Sequence, residues 1–359
     1  MPQHTDPLAS ITEETPTLSE AAAISIVREQ YGLDVSVRPL VSERDQNFEM
    51  RAADGQRYVL KIASSAEEKA VTHFQVEALL HIAKYLKGNK SPLSVPKVLL
   101  TRSGETHTMI DVDGRSHVAR VVSYVDGVPV GERVPSGLLC RNMGRYLAYL
   151  QKALRGFSHP GSQQLLLWDV QQALQLRELI THIPKDGVRA DVKRSLDEFE
   201  KFAWPELPSL RRQVIHSDFN PDNVLIQATR SDVVAGVIDF GDMLEAPLIV
   251  DVAIAASYLR PSEGDPLALI AEFLAGYASV TSLQSIELKI LFELIRARLC
   301  ASIVILYWRA SFRDANDPYL SKLLDAESFA ETFLSRLNLI PRGNARQAFE
   351  QVCASTKLQ

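Results

Sequence analysis

Two short acidic segments constrain what this chain can fold into more than any other feature. The first, over 215–225, reads I-H-S-D-F-N-P-D-N-V-L: an apolar approach, a polar turn that Pro221 breaks, and a second apolar run. The second, over 236–242, reads G-V-I-D-F-G-D and places Asp239 at the end of an apolar run. Apolar runs that end in polar turns are typical of short buried strands. Both segments are therefore expected to be strand–turn units that carry carboxylates.

The residue types in these turns predict phosphoryl transfer. That chemistry needs a carboxylate to orient the attacking hydroxyl and accept its proton, together with oxygen ligands for Mg²⁺. Asp218 and Asn223 have the spacing of the kinase catalytic loop, and Asp239 begins an Asp-Phe-Gly. Asp-Phe-Gly alone is a common surface turn, but the joint match in this order is specific. We therefore predict Asp218 as the catalytic base and Asn223 and Asp239 as metal ligands.

The same motifs resemble those of the aminoglycoside phosphotransferase and choline kinase superfamily, which is similar to protein kinases in fold. Ser217, where protein kinases have Arg, and Asp242, just after the Asp-Phe-Gly, fit its small-molecule kinases. Within the superfamily, S-E-R-D-Q-N-F over 42–48 resembles hydroxylysine kinase and the kinase domains fused to class III aminotransferases. The superfamily resemblance covers roughly residues 35 to 310.

The resemblance implies an α+β, two-lobed protein-kinase-like fold. An N-terminal antiparallel sheet plus one helix would be followed by a larger, mostly helical C-terminal lobe. Helical periodicity over 138–154 and 165–183 agrees with this order. The domain organisation that we expect is a mobile N-terminal arm over 1–16, a nucleotide-binding N-lobe over 17–124, and a C-lobe over 125–359 with the catalytic loop, metal site and acceptor site.

Lys61 lies in the predicted strand Y-V-L-K-I. This strand resembles the V-A-I-K strand of kinases, whose Lys holds nucleotide phosphates and pairs with a Glu on a helix. In the helix that follows, Glu77 has apolar neighbours at three-residue offsets, which place it near the inward face. Glu67 and Glu68 lie in the first turn and are interpreted as serving the helix dipole. The predicted ion pair is therefore Lys61–Glu77.

The usual glycine-rich phosphate loop is missing, because the stretch 42–48 contains no Gly. Backbone N–H groups near Asp45, Gln46 and Asn47 are the predicted cover of the phosphates instead. By the resemblance, the apolar strand over 115–125 ends at the hinge, where a nucleotide base meets main-chain groups. The predicted base-contacting positions are Ser123, Tyr124 and Val125, and the donor is ATP or GTP.

Two residues near the catalytic loop are interpreted as supports. His216 has no clear part in direct phosphoryl transfer and is expected to shape the loop. Asp251 lies in an apolar helix predicted over 249–258, and a buried polar group of this kind is usually hydrogen-bonded within the fold. A bond between Asp251 and the region of His216 is predicted.

Composition restricts the partners and the compartment. A net charge of −5 and a pI near 6.0 offer no basic field for nucleic acid. The three cysteines are far apart and form neither a zinc spacing nor a disulfide framework. The N-terminus shows no secretion signal, and the longest apolar run, 299–308, is too short to cross a bilayer. A cytoplasmic protein without nucleic-acid or membrane partners is expected, with its oligomeric state left open.

The acceptor is the part that the sequence constrains least. Asp242 and Glu245 are candidates to bind an ammonium group, and Arg296 and Arg298 to bind a carboxylate, although a structural or surface role stays open for each. This set favours hydroxylysine or a similar hydroxylated amino acid. Homoserine, choline or ethanolamine, and aminoglycosides are alternatives. A nucleotide-binding pseudokinase is an alternative of another class, but such chains usually lose one of the residue types that this chain retains.

Overall fold

The computed structural model describes residues 15–42, 44–132, 135–312 and 318–356, so most of the predicted N-terminal arm lies outside the described residues. The chain divides into two compact units. The first unit comprises the chain up to Asp126 together with Gly156–Leu165 and Gly236–Gly241. The second unit comprises Gly127–Arg155, Leu166–Ala235 and the chain from Asp242 onward. Helices and antiparallel strands make up both, which confirms the predicted α+β class.

The first unit contains a six-stranded antiparallel sheet in the order β1-β2-β3-β6-β4, with β5 also paired to β6. The strands are β1 (Val35–Leu40), β2 (Gln46–Ala52), β3 (Arg57–Ile62), β4 (Val98–Leu99), β5 (Thr108–Val112) and β6 (Arg115–Ser123). The turn between β2 and β3 contains Gly55 at φ 84°, a conformation that glycine adopts without a steric penalty.

Two helices accompany this sheet, α1 (Glu20–Tyr31) and α2 (Lys69–Gly88). The α1 helix begins where the Ser19 hydroxyl accepts a hydrogen bond from the N–H of Ala22, and it ends at Gly32 with φ 71°. Its buried side packs on one face of the sheet; the core residues are Ala23, Val27, Tyr31, Phe48, Met50, Leu60, Ile62, Ala119 and Val121. Because side chains alternate along a strand, Lys61 and its cross-strand partners point to the opposite face.

The second unit has two small sheets, one in the order β10-β9-β7 and one that pairs β11 with β8. The strands are β7 (Val128–Pro129), β8 (Arg212–Ile215), β9 (Val224–Gln227), β10 (Arg230–Val237) and β11 (Leu244–Pro247). The helices are α3 (Gly137–Ala153), α4 (Asp186–Phe202), α5 (Leu248–Ser257), α6 (Ala268–Ala278), α7 (Ser285–Ala310), α8 (Pro318–Asn338) and α9 (Arg342–Ser355). Most of α7 is buried, so it forms the centre of this unit.

The helix predicted over 165–183 is wrong in type. Val170–His182 is 3₁₀ helix. The Asp169 carboxylate accepts a hydrogen bond from the N–H of Gln171, and the N–H of Gln172 bonds to the Asp169 carbonyl at 2.8 Å, an i→i+3 bond. Apolar periodicity alone does not separate these two helix types. Across the described ranges, no helix is both long and apolar enough to cross a membrane.

Two glycines let α3 and α6 approach closely within the second unit. A Cβ atom at Gly144 would lie 1.9 Å from the carbonyl oxygen of Phe273, and one at Gly276 would lie 1.8 Å from that of Arg141. Both obstacles are backbone atoms, which cannot rotate away. The packing of this helix pair therefore requires glycine at both positions.

We expect Gly276→Ala to lower the free energy of unfolding by about 1–3 kcal/mol, because the added methyl group must push the two backbones apart. Gly187→Ala is the matched control, since Gly187 lies in α4 with open space around the added methyl group. That control should stabilise the chain by roughly 0.5–1 kcal/mol through higher helix propensity. Thermal and urea unfolding measure both, and equal effects of the two substitutions would contradict the close packing.

Candidate active site

The loop from His216 to Asn223 joins β8 to β9 in the second unit. It contains Ser217 at φ 64°, a left-handed backbone conformation that non-glycine residues seldom adopt. His216 and Ser217 are buried, whereas Asp218 is half-buried. The unusual turn at Ser217 therefore carries the chain from a buried strand to a carboxylate that a ligand can reach.

Asn220 and Asn223 hold the carboxylate of Asp218. The Asn220 amide nitrogen donates to Asp218 Oδ1 at 2.8 Å, and that of Asn223 donates to Asp218 Oδ2 at 2.6 Å and to the Asp218 carbonyl at 3.0 Å. Both of these contacts use the nitrogen of the Asn223 amide, whose oxygen is an acceptor and not a donor. The five-residue spacing thus corresponds to a side chain that closes the loop on itself.

Asn220 is a residue that the sequence analysis missed. Its Oδ1 atom accepts hydrogen bonds from the N–H groups of Asp222 at 2.8 Å and Asn223 at 3.0 Å, while its nitrogen orients Asp218. The Asn-Pro pair at 220–221 is a signal for such a side-chain-closed turn. This signal could have identified the role of Asn220 in closing the loop.

Asp251, on α5, anchors the start of the loop as predicted. Its Oδ2 atom accepts the N–H of His216 at 3.2 Å, and its Oδ1 atom accepts the N–H of Ser217 at 2.9 Å. The Gln151 amide lies 3.4 Å from the same carboxylate. Full burial raises the pKa of Asp251, while the neighbouring His216 and these donors act in the opposite direction.

Lys61 and Asp239 contact each other within the first unit. Lys61 Nζ lies 3.3 Å from Asp239 Oδ1, which also accepts the N–H of Gly241 at 3.3 Å. Asp239 has φ 59°, so it too is in the left-handed region. The Lys61 side chain is 17% exposed and that of Asp239 is 52% exposed. The carboxylate of Asp239 is therefore open to solvent and to ligands.

The predicted Lys61–Glu77 ion pair is not formed among the described residues. Glu77 Oε1 lies 3.8 Å from Nε2 of His73, one turn earlier on α2, and its side chain is 41% exposed. The buried face of α2 carries Gln75 and Val71 instead. The prediction was wrong because it used Phe74 to define the face of α2 that points to the sheet. Phe74 packs instead on Phe157 of the first unit.

Gln75, Glu67 and Arg120 form a polar cluster on the inner side of α2 that sequence reasoning missed. Arg120 Nη2 donates to Gln75 Oε1, Gln75 Nε2 lies 3.4 Å from Glu67 Oε2, and the Thr72 hydroxyl donates to Glu67 Oε1. Burial raises the pKa of Glu67, as does the charge of Asp45. Glu67 precedes the N-cap residue Glu68, so the prediction that it lies in the first turn of the helix is wrong, and Glu67 belongs to this cluster instead.

The predicted phosphate-covering residues separate into two groups. Gln46 and Asn47 are the first residues of β2, in register with Ile62 and Lys61, so they are not loop residues. The Gln46 side chain bonds to both backbone groups of Leu18. Only Asp45 lies in the loop, where its Oδ1 atom accepts the N–H of Ser64 at 3.4 Å.

Of the predicted base-contacting residues, Ser123 ends β6, and Tyr124 and Val125 follow it. The N–H of Ser123 donates to the Lys97 carbonyl at 2.8 Å, and that of Tyr124 donates to the Arg57 carbonyl at 3.0 Å. The Arg57 guanidinium also stacks on the Tyr124 ring. Of the three predicted N–H donors, Val125 alone donates to no other described residue.

Among the candidate acceptor residues, the two arginines of α7 differ in the groups that they contact. Arg296 is 1% exposed and its Nη2 atom lies 2.6 Å from Glu198 and 3.7 Å from Glu293. Its charge is thus neutralised inside the unit, which contradicts the predicted carboxylate-binding role. Arg298, also buried, donates to the Tyr258 hydroxyl at 3.0 Å and to the Ser302 hydroxyl at 3.1 Å.

The candidate ammonium-binding residues lie at the start of β11 in the second unit. Asp242 is half-buried just before this strand. Glu245, on β11, lies 4.0 Å from Arg212 of β8, and both side chains are more than one third exposed. A pair at that distance and exposure is weak.

No group of three or more His, Cys, Asp or Glu residues forms a ready metal cage within the described part of the chain. The oxygens suited to Mg²⁺ are instead the Asn223 amide oxygen in the second unit and the Asp239 carboxylate in the first. Mg²⁺ usually takes few protein ligands, often one or two carboxylates, and completes its shell with phosphate and water. The donor chemistry of these residues fits that habit.

Comparison with known proteins identifies the family of this chain. The model of the phosphotransferase enzyme family matches residues 36–285. Hydroxylysine kinase of Mus musculus is 28% identical over 327 residues, which cover 85% of this chain and 86% of that protein. Homoserine kinase of Rhizobium etli is 29% identical over 196 residues, 55% of this chain and 56% of that protein.

A solved structure of amicoumacin kinase, in complex with AMP-PNP, Ca²⁺ and Ami, shares the fold with a TM-score of 0.65 at 18% identity. The alignment covers 88% of this chain and 94% of that chain. The protein-kinase-like fold and the superfamily that the motifs indicated are both confirmed. The chain therefore belongs to the phosphotransferase enzyme family and is a phosphotransferase that acts on alcohol groups.

Proposed function

We propose that this chain transfers the γ-phosphoryl group of ATP or GTP to the hydroxyl of a hydroxylysine-like amino acid. The observation that carries the proposal is the catalytic loop, in which Asn220 and Asn223 orient Asp218 and Asp251 anchors the loop's buried end. A carboxylate held on both oxygens is positioned before any acceptor arrives, which is the main demand of direct phosphoryl transfer.

Each residue has a separate role in this proposal. Asp218 orients the acceptor hydroxyl and takes its proton as the oxygen attacks the γ-phosphorus in line. Lys61 pairs with the phosphates of the donor. Val125 offers a main-chain N–H to the base, and Asp45 lies in the loop that precedes β2, next to the phosphates.

Asn223 and Asp239 are proposed to hold Mg²⁺ through their side-chain oxygens. When bound, the ion neutralises the charge of the donor phosphates. The support is the oxygen donor set of these two side chains, together with the nucleotide analogue and divalent cation in the amicoumacin kinase structure. The carboxylate of Asp239 can exchange Lys61 for a metal without unfolding, since it is already half exposed.

The acceptor class rests on the relatives and on Arg298. Hydroxylysine kinase of Mus musculus matches this chain over most of its length. An amino-acid acceptor brings a carboxylate and an ammonium group, and leaving either unpaired in a desolvated site costs several kcal/mol. Arg298, backed by Tyr258, is proposed to bind the carboxylate. Asp242 and Glu245 are proposed to bind the ammonium group.

Homoserine is the second candidate acceptor, because the homoserine kinase of Rhizobium etli also matches the chain. It has the same α-amino and α-carboxyl groups as hydroxylysine on a shorter side chain. A screen for nucleoside-diphosphate release, with ATP and GTP as donors, separates the candidates. It should rank hydroxylysine above homoserine, and both above choline, ethanolamine and kanamycin. Release with none of these acceptors would favour the pseudokinase alternative.

Asp218→Asn should lower kcat at least roughly a hundredfold, since the amide keeps the size of the side chain but cannot receive the proton. Binding of Mg·ATP should stay within a few-fold of the wild type. Steady-state kinetics and calorimetry measure the two quantities. Near-normal turnover would show that Asp218 is not the base.

Asp239→Ala should abolish the effect of Mg²⁺ on nucleotide affinity, because a carboxylate ligand of the metal is lost. Titration of ATP with and without Mg²⁺ by calorimetry tests this, and the metal-free affinity serves as the control. If Mg²⁺ strengthens binding to the variant as much as to the wild type, Asp239 is not a metal ligand.

Arg298→Met should raise the KM for hydroxylysine at least roughly tenfold, the loss of about 1.4 kcal/mol. Methionine fills the space of the arginine stem but offers the acceptor's carboxylate no charge. The decarboxylated amine is the matched control and should be used equally by both proteins. A wild type that phosphorylates this amine as well as the amino acid would remove the amino-acid hypothesis.

A further inference from the structure

Lys61 and Arg120 are neighbours on the same face of the six-stranded sheet. Arg120 of β6 is directly opposite Lys61 of β3, and Lys61 is directly opposite Asn47 of β2. The three side chains therefore form one row across three strands. Like charges that face each other across a ladder destabilise a sheet. Such a pair requires negative charge or hydrogen-bond acceptors close by.

Helix α2 and the segment just before it supply part of that compensation to Arg120. One guanidinium nitrogen, Nη2, donates to Gln75, and the carboxylate of Glu67 acts on the same guanidinium. Arg120 is 3% exposed, yet its Nη1 atom has no hydrogen-bond partner among the described residues. A buried guanidinium N–H without an acceptor is costly, so the row is short of one hydrogen-bond acceptor.

This arrangement occupies the place of the expected ion pair between a strand lysine and a helix glutamate. Here β6, the strand next to Lys61, provides the cation that bonds α2. The helix provides the amide of Gln75, and Glu67, just before the helix, provides a carboxylate. Lys61 itself contacts Asp239. The ammonium group of Lys61 is thus not neutralised by α2.

We propose that Arg120 is a positioning residue for the donor nucleotide, which ties α2 to the sheet and directs the ammonium group of Lys61 away from the helix toward the donor phosphates. The inference rests on the proposed function, in which Lys61 binds those phosphates. Two adjacent cations with one unsatisfied N–H favour a polyanion over water. Bound phosphate charge stabilises both at once, so nucleotide affinity depends on Arg120 although its side chain is buried.

The test is the affinity for Mg·ATP by calorimetry, without an acceptor, in four variants compared with the wild type. Arg120→Gln keeps a hydrogen-bonding group but loses the charge, and should raise Kd at least roughly tenfold. Arg120→Lys keeps the charge and should stay within about threefold. Gln75→Met breaks the bond on the helix side and should raise Kd at least about threefold. Glu77→Gln, on the exposed side of the same helix, is the matched control and should stay within about twofold.

Salt dependence separates a charge effect from mere loss of structure. The fall of affinity with ionic strength should be shallower for Arg120→Gln than for the wild type and unchanged for Arg120→Lys. A role in folding alone would lower the melting temperature and leave that slope unchanged. Should Arg120→Gln fail to fold, Arg120→Lys, Gln75→Met and Glu77→Gln still decide the matter.

Two results would overturn the inference. One is a tenfold loss of affinity in Glu77→Gln, which would restore the helix glutamate to its expected role. The other is an Arg120→Gln or Gln75→Met protein that binds Mg·ATP within twofold of the wild type. A wild-type protein that does not bind Mg·ATP at all would instead refute the proposed function, and the inference with it.

Discussion

The catalytic loop of the second unit depends on a buried carboxylate, that of Asp251. Two successive N–H groups, from His216 and Ser217, point at its two oxygens at the place where Ser217 turns into the left-handed region. A strained turn of this kind costs of order 1–3 kcal/mol and persists only when its surroundings fix it. Asp251 meets that condition because it lies on a helix, α5, whose residues are all buried. The orientation of Asp218 follows from this anchor and not from the loop alone.

The same loop explains why its geometry could be predicted from the sequence. The two side-chain amides that hold the Asp218 carboxylate, those of Asn220 and Asn223, lie within five positions of it, so this part of the information is local and the spacing reports it. The turn chemistry of Asn220 is local as well and was available to the same reasoning. The anchor at Asp251 is 34 positions away from Ser217, and only its place in an apolar helix indicated it.

Residues that act across longer distances could not be assigned in this way. Arg296 and Arg298 have the same chemistry and the same apolar helix around them, yet residues two positions apart on a helix face different sides. Glu198 of α4, nearly a hundred positions earlier, neutralises Arg296. Helix α2 posed the same difficulty, because it has apolar contacts on two sides. Phe74 packs on Phe157, while Gln75 faces the sheet, and no periodicity shows which side receives the polar strand residues.

The contact between Lys61 and Asp239 brings together, within the first unit, the residue proposed to bind the donor phosphates and a residue proposed to bind the metal. These two residues carry the charges that a metal–nucleotide complex requires: a carboxylate for the cation and an ammonium for the phosphates. A partly exposed pair of this kind is worth at most about 1 kcal/mol, so separating it costs little. In the proposed reaction, Asp239 would hold the cation and Lys61 the phosphates, so each residue would exchange its weak partner for another of opposite charge. Lys61 has Arg120 beside it and no carboxylate from α2 in contact with it. We therefore expect phosphate binding to stabilise this lysine more than one that is already paired with a helix glutamate.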